Sequence, residues 1–153
     1  MTRTNGDARA TKAALDFIGN SLSKLEKLKP AAYNALMLRI LMASEAYKPL
    51  VKAIDDTERQ IVDRYLLLAG NEAKYNENGS IFFGGRLDRE FMREQAALLD
   101  APVEDEPRRR PFTLADFDAV GIAVPQIIQS QFGILLTRPD VDPDVLPPVS
   151  LDT

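Results

Sequence analysis

The chain has 153 residues, 45% of them hydrophobic and 27% charged, with a net charge of −4 and a pI near 4.9. That is enough for one domain with a real core, and the acidic balance argues against nucleic acid as the main partner, because phosphate binding takes a basic surface. With neither cysteine nor histidine, disulfides, thiol catalysis, serine–histidine machinery and the common zinc and non-haem iron sites are excluded. Acid–base chemistry would fall to carboxylates, lysine or tyrosine, so the expectation is a non-enzymatic chain without a cofactor. No run of 18 apolar residues marks a membrane span, and the opening MTRTNGDARATKAALDF lacks the apolar core of a signal peptide, so a cytosolic start is expected.

Residues 1–10 are polar, with an Asn5-Gly6 turn signal, and read as a flexible N-terminal arm. A single domain is expected over 11–136. Leu15, Ile18, Leu22 and Leu25 then recur on one face, although Gly19, Asn20 and Ser21 leave the segment before Ser21 open between helix and extended strand. The element ends by Lys29-Pro30, since the residue before proline disfavours helix. From Pro30 to Ala69 one long amphipathic helix is predicted, with Tyr33, Met37, Ile40, Tyr47, Val51, Ile54, Ile61 and Tyr65 as its seam. Residues 35–43 carry only Arg39 as a charge and read as apolar nearly all round, hence buried on more than one side. Pro49 should kink or split the helix. Beyond it, Lys52–Asp56, Asp55–Arg59 and Arg59–Asp63 are spaced for ion pairs on an exposed face, and Gly70 closes the helix.

Asn78-Gly79 favours a type I′ turn ahead of the strand-like Ser80-Ile81-Phe82-Phe83, giving a small hairpin. A third helix follows from Leu87 to about Leu99, with Leu87, Phe91, Met92, Ala96 and Leu99 on its buried side. Pro102, Pro107 and Pro111 confine the next stretch to loop or edge strand. Thr113 is placed to cap a short helix over Leu114–Val120, and Pro125 to open another reaching about Leu135. Residues 137–153 hold four prolines and form an extended, polyproline-like C-terminal arm whose apolar teeth, Val141, Val145, Leu146 and Val149, suit docking on a neighbour. The fold class is therefore mainly α: a helical hairpin or bundle around one long helix, with a small β-hairpin or edge strands.

Asp140, Asp142 and Asp144 resemble the start of a calcium loop, but the sixth and twelfth positions hold Val145 and Leu151 where glycine and glutamate are needed. Asp55, Asp56, Glu58 and Asp63 lie among Lys52 and Arg59, as an ion-paired surface would have them rather than a metal site. Gly84-Gly85-Arg86 lacks the rest of a phosphate loop. Tyr33, Tyr47 and Tyr65 at helical spacing read as core rather than a cofactor groove. Arg108, Arg109 and Arg110 either pair with the adjacent Glu104-Asp105-Glu106 or form an edge for a partner.

The strings KLKPAAYNALMLRI, AYKPLVKAIDDTERQIVDRY, NENGSI, EQAALLDAPVEDEP and PFTLADFDAVGIAVPQI follow one another between about residues 15 and 125. In this layout the chain resembles small proteins of unknown function encoded among the late, virion-morphogenesis genes of tailed phages. It departs from them in Pro49 and in the proline-rich tail. The resemblance implies a structural or assembly role at the neck, portal or tail, in a virion assembled in the bacterial cytoplasm. Partners would be other phage structural proteins and further copies of the chain. The contrasting expectation is a cytosolic adaptor or inhibitor of a host protein. Contacts are expected at Leu36, Met37, Ile40 and Leu41, at Arg108–Arg110, and along the arm.

Overall fold

Thr4 accepts a hydrogen bond from the Asp7 amide while the Asp7 carboxylate accepts one from the Thr4 amide, and this reciprocal cap starts helix α1 (Asn5–Ser23). The computed structural model describes residues 2–24 and 30–137 of the chain. An arm over residues 1–10 is thus corrected for the described part: Asn5 onward is helix, and Thr4 bridges Pro102, with Asn5 N–H donating to Ala101 O and Val103 N–H to Arg3 O. Residues 11–20 are helical throughout, with Leu15, Ile18 and Leu22 buried; Leu25 lies outside the described residues.

Helix α2 (Pro30–Ala69) is 40 residues long, about 60 Å at 1.5 Å per residue. It runs through Pro49 without splitting. Proline removes one bond to the carbonyl four residues back, and because Pro49 lies on the exposed face, water can take that bond. The seam holds: Ile40, Tyr47, Val51, Ile54 and Tyr65 are buried, and Leu36 and Ala43 join them.

Two helices in succession cover this length. Helix α1 runs antiparallel along the first part of α2, as Tyr33 to Leu22, Ser44 to Asp16 and Asp55 to Arg9 record. Helix α3 (Gly85–Asp100) covers the rest, with Glu58 against Gln95 and Tyr65 against Glu94. Between α2 and α3, β1 (Lys74–Tyr75) and β2 (Ile81–Phe82) form an antiparallel hairpin. Its turn is a correction: Asn78 does not take positive φ, as type I′ requires. Instead Gly79 (φ 84°) closes a three-residue loop, with Gly79 N–H on Asn76 O and Asn76 N–H on Ser80 O. In α3, Met92 and Ala96 face solvent rather than the core; Glu94 and Gln95 occupy the inner side because they bind Arg64, Tyr65 and Glu58 across the interface.

The C-terminal part returns to α1. Strand β3 (Phe112–Thr113) pairs in parallel with β4 (Leu136–Thr137). Between them lie α4 (Leu114–Asp118), capped by Thr113 as its sequence foretells, with the Asp116 carboxylate accepting from the Thr113 amide in return, and α5 (Gln126–Phe132), which continues as a tight turn over Gly133–Leu135. Phe112, Phe117 and Phe132 meet with ring centroids 5.9–6.0 Å apart, at the centre of a core built from α1, the first half of α2, α4 and α5. A second, smaller core holds Tyr65, Phe83 and Phe91, with centroids 4.8–5.8 Å apart.

Candidate functional site

Leu36, Ile40 and Ala43 turn α2 toward the large core, so the residues about half a turn away must face outward. Leu38 is 58% exposed, and Leu41 and Met42 are each 48% exposed. The exposed Ala31 and Ala35 extend this second apolar stripe, and Glu45 ends it one turn on. The all-round apolar character of residues 35–43 therefore splits into a core face and a free face, with no described element over the latter. Of the expected contact residues, Leu36 and Ile40 are corrected to core positions, because α1 and the phenylalanine cluster cover them; Met37 is half-buried and Leu41 is exposed.

Arg39 holds the edge of that stripe to the C-terminal part. Its guanidinium stacks 4.4 Å from the Phe112 ring centroid, pairs with Asp116 at 3.3 Å, and donates to Pro111 O at 3.0 Å and Arg110 O at 3.4 Å. Arg39 thereby fastens the C-terminal end of the exposed Arg108–Arg110 run to α2 through the Arg110 and Pro111 carbonyls. No carboxylate pairs with these three arginines among the described residues. Pairing with Glu104–Glu106 is therefore corrected: Glu106 is turned inward. The chain leaves β4 at Thr137, opposite Thr113, whose cap partner is the same Asp116. Val141, Val145, Leu146 and Val149 lie outside the described residues, as do Asp140, Asp142 and Asp144.

Two polar clusters touch this part of α2. On the α1 side, a groove of about 330 Å³ has Leu15 and Ile40 in its floor and Asp16, Asn20 and Ser44 on its rim, with Leu41 at its lip. Asp16 accepts from Lys12 Nζ at 2.6 Å and from the Ser44 hydroxyl at 2.5 Å. Burial pushes its carboxyl up, but these two donors outweigh burial and hold it below the usual carboxylate range.

The other cluster lies inside. Arg3 Nε and Nη2 donate to the two Glu106 oxygens at 3.1 and 2.7 Å, Nη2 also reaches Thr11 Oγ1 at 2.8 Å, and the Tyr47 hydroxyl donates to Glu106 at 2.6 Å. The Arg3 and Glu106 side chains are 13% and 6% exposed. Burial and the adjacent Glu106 carboxylate push the Tyr47 phenol far above its ordinary value. Burial would lower Arg3, but Glu106 outweighs it. Gly133 takes φ +56°, and a β-carbon there would collide with the Arg3 guanidinium, so the site requires glycine on both counts. This part-buried cluster joins the N-terminus, α2, the 101–111 segment and α5.

The remaining sequence candidates are ion pairs or core. Arg9 binds Asp55 at 2.7 Å and Glu58 at 3.3 Å, displacing the expected Asp55–Arg59 pair, while Lys52–Asp56 forms at 2.8 Å. Among the described residues no group of three or more metal-ligating side chains gathers, and no helix is long and apolar enough to cross a membrane. The three tyrosines each donate to a neighbour within the fold: Leu22 O, Glu106 and Glu94. The clusters around Arg3 and Arg9 carried no sequence signal, since their carboxylate partners lie 46 to 103 residues away.

No family model matches the chain, nor does any curated protein or solved structure.

Proposed function

We propose that the chain is a non-enzymatic assembly protein of a tailed phage, acting at the neck, portal or tail through contacts with other structural proteins and with copies of itself. The observation that carries the contact role is the outward stripe of Leu38, Leu41 and Met42. Three neighbouring large apolar side chains on a helix already packed on its other face are costly to leave in water and are a recurrent mark of protein interfaces. The exposed Arg108–Arg110 run, joined to the same helix through Arg39, supplies charge and orientation. The phage setting rests on the resemblance in sequence layout. Mass spectrometry of purified virions, proheads and tails tests the reading. The chain is expected in at least one of them, at a copy number that fits ring symmetry. Its absence from all three overturns the reading.

A further inference from the structure

The outer stripe of α2 has two unlike flanks. Beyond Leu41 lie Met37 and Ser44, which form the groove of about 330 Å³ with Asp16, Gly19 and Asn20 of α1. Beyond Met42 lies Arg39, which holds the backbone of the exposed Arg110. Both flanks sit at one level along the helix, because a β-carbon on Gly19 would stand 3.5 Å from Cγ2 of Ile40, the residue next to Arg39. Gly19 is helical, and that contact is an ordinary one, so neither conformation nor packing demands glycine there. What the missing side chain does is keep the groove open. The apolar floor suits the stem of a long cationic side chain. At the rim, each Asp16 oxygen accepts one hydrogen bond, from Lys12 or from Ser44, and has capacity for another.

Three roughly half-exposed side chains fall well short of the roughly 800 Å² per partner that a stable interface covers, so an occupant of the stripe must engage its flanks as well. A second copy can do this in one orientation. A two-fold axis along α2 sets the stripes together in parallel and exchanges their flanks, so each arginine flank meets the other copy's groove. A two-fold axis across α2 sets the helices antiparallel and keeps the flanks, which brings Arg110 against Arg110 and groove against groove. We infer that a second copy of this chain occupies the stripe, with the two α2 helices parallel about a two-fold axis and Arg110 of each copy in the Gly19 groove of the other. The pairing rests on the reading of the stripe as a contact face, and it names the partner and the orientation.

The chain has no native cysteine, so a nitroxide on Asp56→Cys in the full chain reports the orientation alone. Asp56 is exposed and lies about five turns beyond Leu38 on the same side of α2. In the parallel pair the two labels are expected about 10–25 Å apart by pulsed electron paramagnetic resonance, a spread that covers the usual helix crossing angles. An antiparallel pair centred near Ile40 would hold them about 48 Å apart. Gly19→Gln fills the groove and is expected to raise the dissociation constant about tenfold or more, with helical content unchanged by circular dichroism. Arg110→Ala leaves the backbone carbonyl that Arg39 binds and is expected to raise the constant about three- to fivefold, as for an exposed ion pair, with a smaller effect in raised salt. A label distance near 48 Å, a chain that stays monomeric up to about 1 mM, or a Gly19→Gln chain that associates as tightly as the unaltered one overturns the inference. A parallel pair in a chain absent from phage particles leaves the pairing standing and removes the phage role. An antiparallel pair in a chain present there does the reverse.

Discussion

The two halves of α2 are built on the same plan with opposite outer faces. Each packs a seam against an antiparallel helix and a cluster of three aromatic rings, Phe112–Phe117–Phe132 in one and Tyr65–Phe83–Phe91 in the other. The first is enclosed by α1, α4 and α5, with its three rings fully buried; in the second, Phe91 stays half-buried and α3 has no buried residue. The outer faces reverse this order. The well-enclosed half shows Leu38, Leu41 and Met42 to solvent, whereas the lightly covered half shows Lys52, Asp56, Arg59 and Asp63 until the exposed Leu67 and Leu68 near its end. An element with a secure inner face can carry apolar residues outward without misfolding around them, which is what a contact surface needs.

The widest difference between the halves should appear on truncating one ring in each. Phe132→Ala is expected to cost about 3–5 kcal/mol and to speed hydrogen exchange throughout α1 and the first half of α2. Phe83→Ala removes a ring of the same size, yet its effect should stay within residues 70–100, with α1 still protected. Global exchange after Phe83→Ala would show one cooperative core rather than two.

Arg3→Ala tests how the large core is fastened. It leaves the Glu106 carboxylate buried with only Tyr47 for company, and a loss of about 3 kcal/mol is expected in urea unfolding. A loss below about 1 kcal/mol would show that the N-terminal residues merely rest on the core.

Helix existence, the α2 seam, the glycine stop at Gly70 and the Thr113 cap were legible because each depends on residues within a few positions of one another. The Arg3–Glu106–Tyr47 and Arg9–Asp55–Glu58 clusters were not, because charge spacing along one helix favours local pairs and says nothing of an arginine arriving from another helix. Asp55 had Arg59 four residues away, yet binds Arg9. The contact surface was half legible. Residues 35–43 are recognisably apolar all round, but which side faces the core depends on α1 and Phe112, so Leu36 and Ile40, expected as contact residues, are buried in the core.

Titration separates the halves more gently. The Tyr47 phenol is raised above its ordinary 10.0 in the fold, so its contribution is whole below pH 10 and declines above it, as the unfolded chain ionises first. Tyr47→Phe should cost about 1 kcal/mol at neutral pH and flatten that alkaline decline. Glu58 runs the other way. Burial raises it, but Gln95 and Arg9 prevail and lower it below 4.5. Its contribution is whole above that value and is lost as pH falls through the lower folded value. Glu58→Gln should reduce the acid slope with under about 1 kcal/mol of effect at pH 7. Unchanged slopes in thermal unfolding across these ranges would contradict both assignments.

The smallest stability effect belongs to the outer stripe, where Leu38→Glu with Met42→Glu should shift unfolding by no more than about 0.5 kcal/mol. The same substitutions give the most direct test of the contact face. Sedimentation velocity on the chain, with and without them, should find concentration-dependent association in the unsubstituted form and a monomer in the substituted one, at equal thermal stability. Equal sedimentation of the two forms would contradict the assignment of this face to assembly.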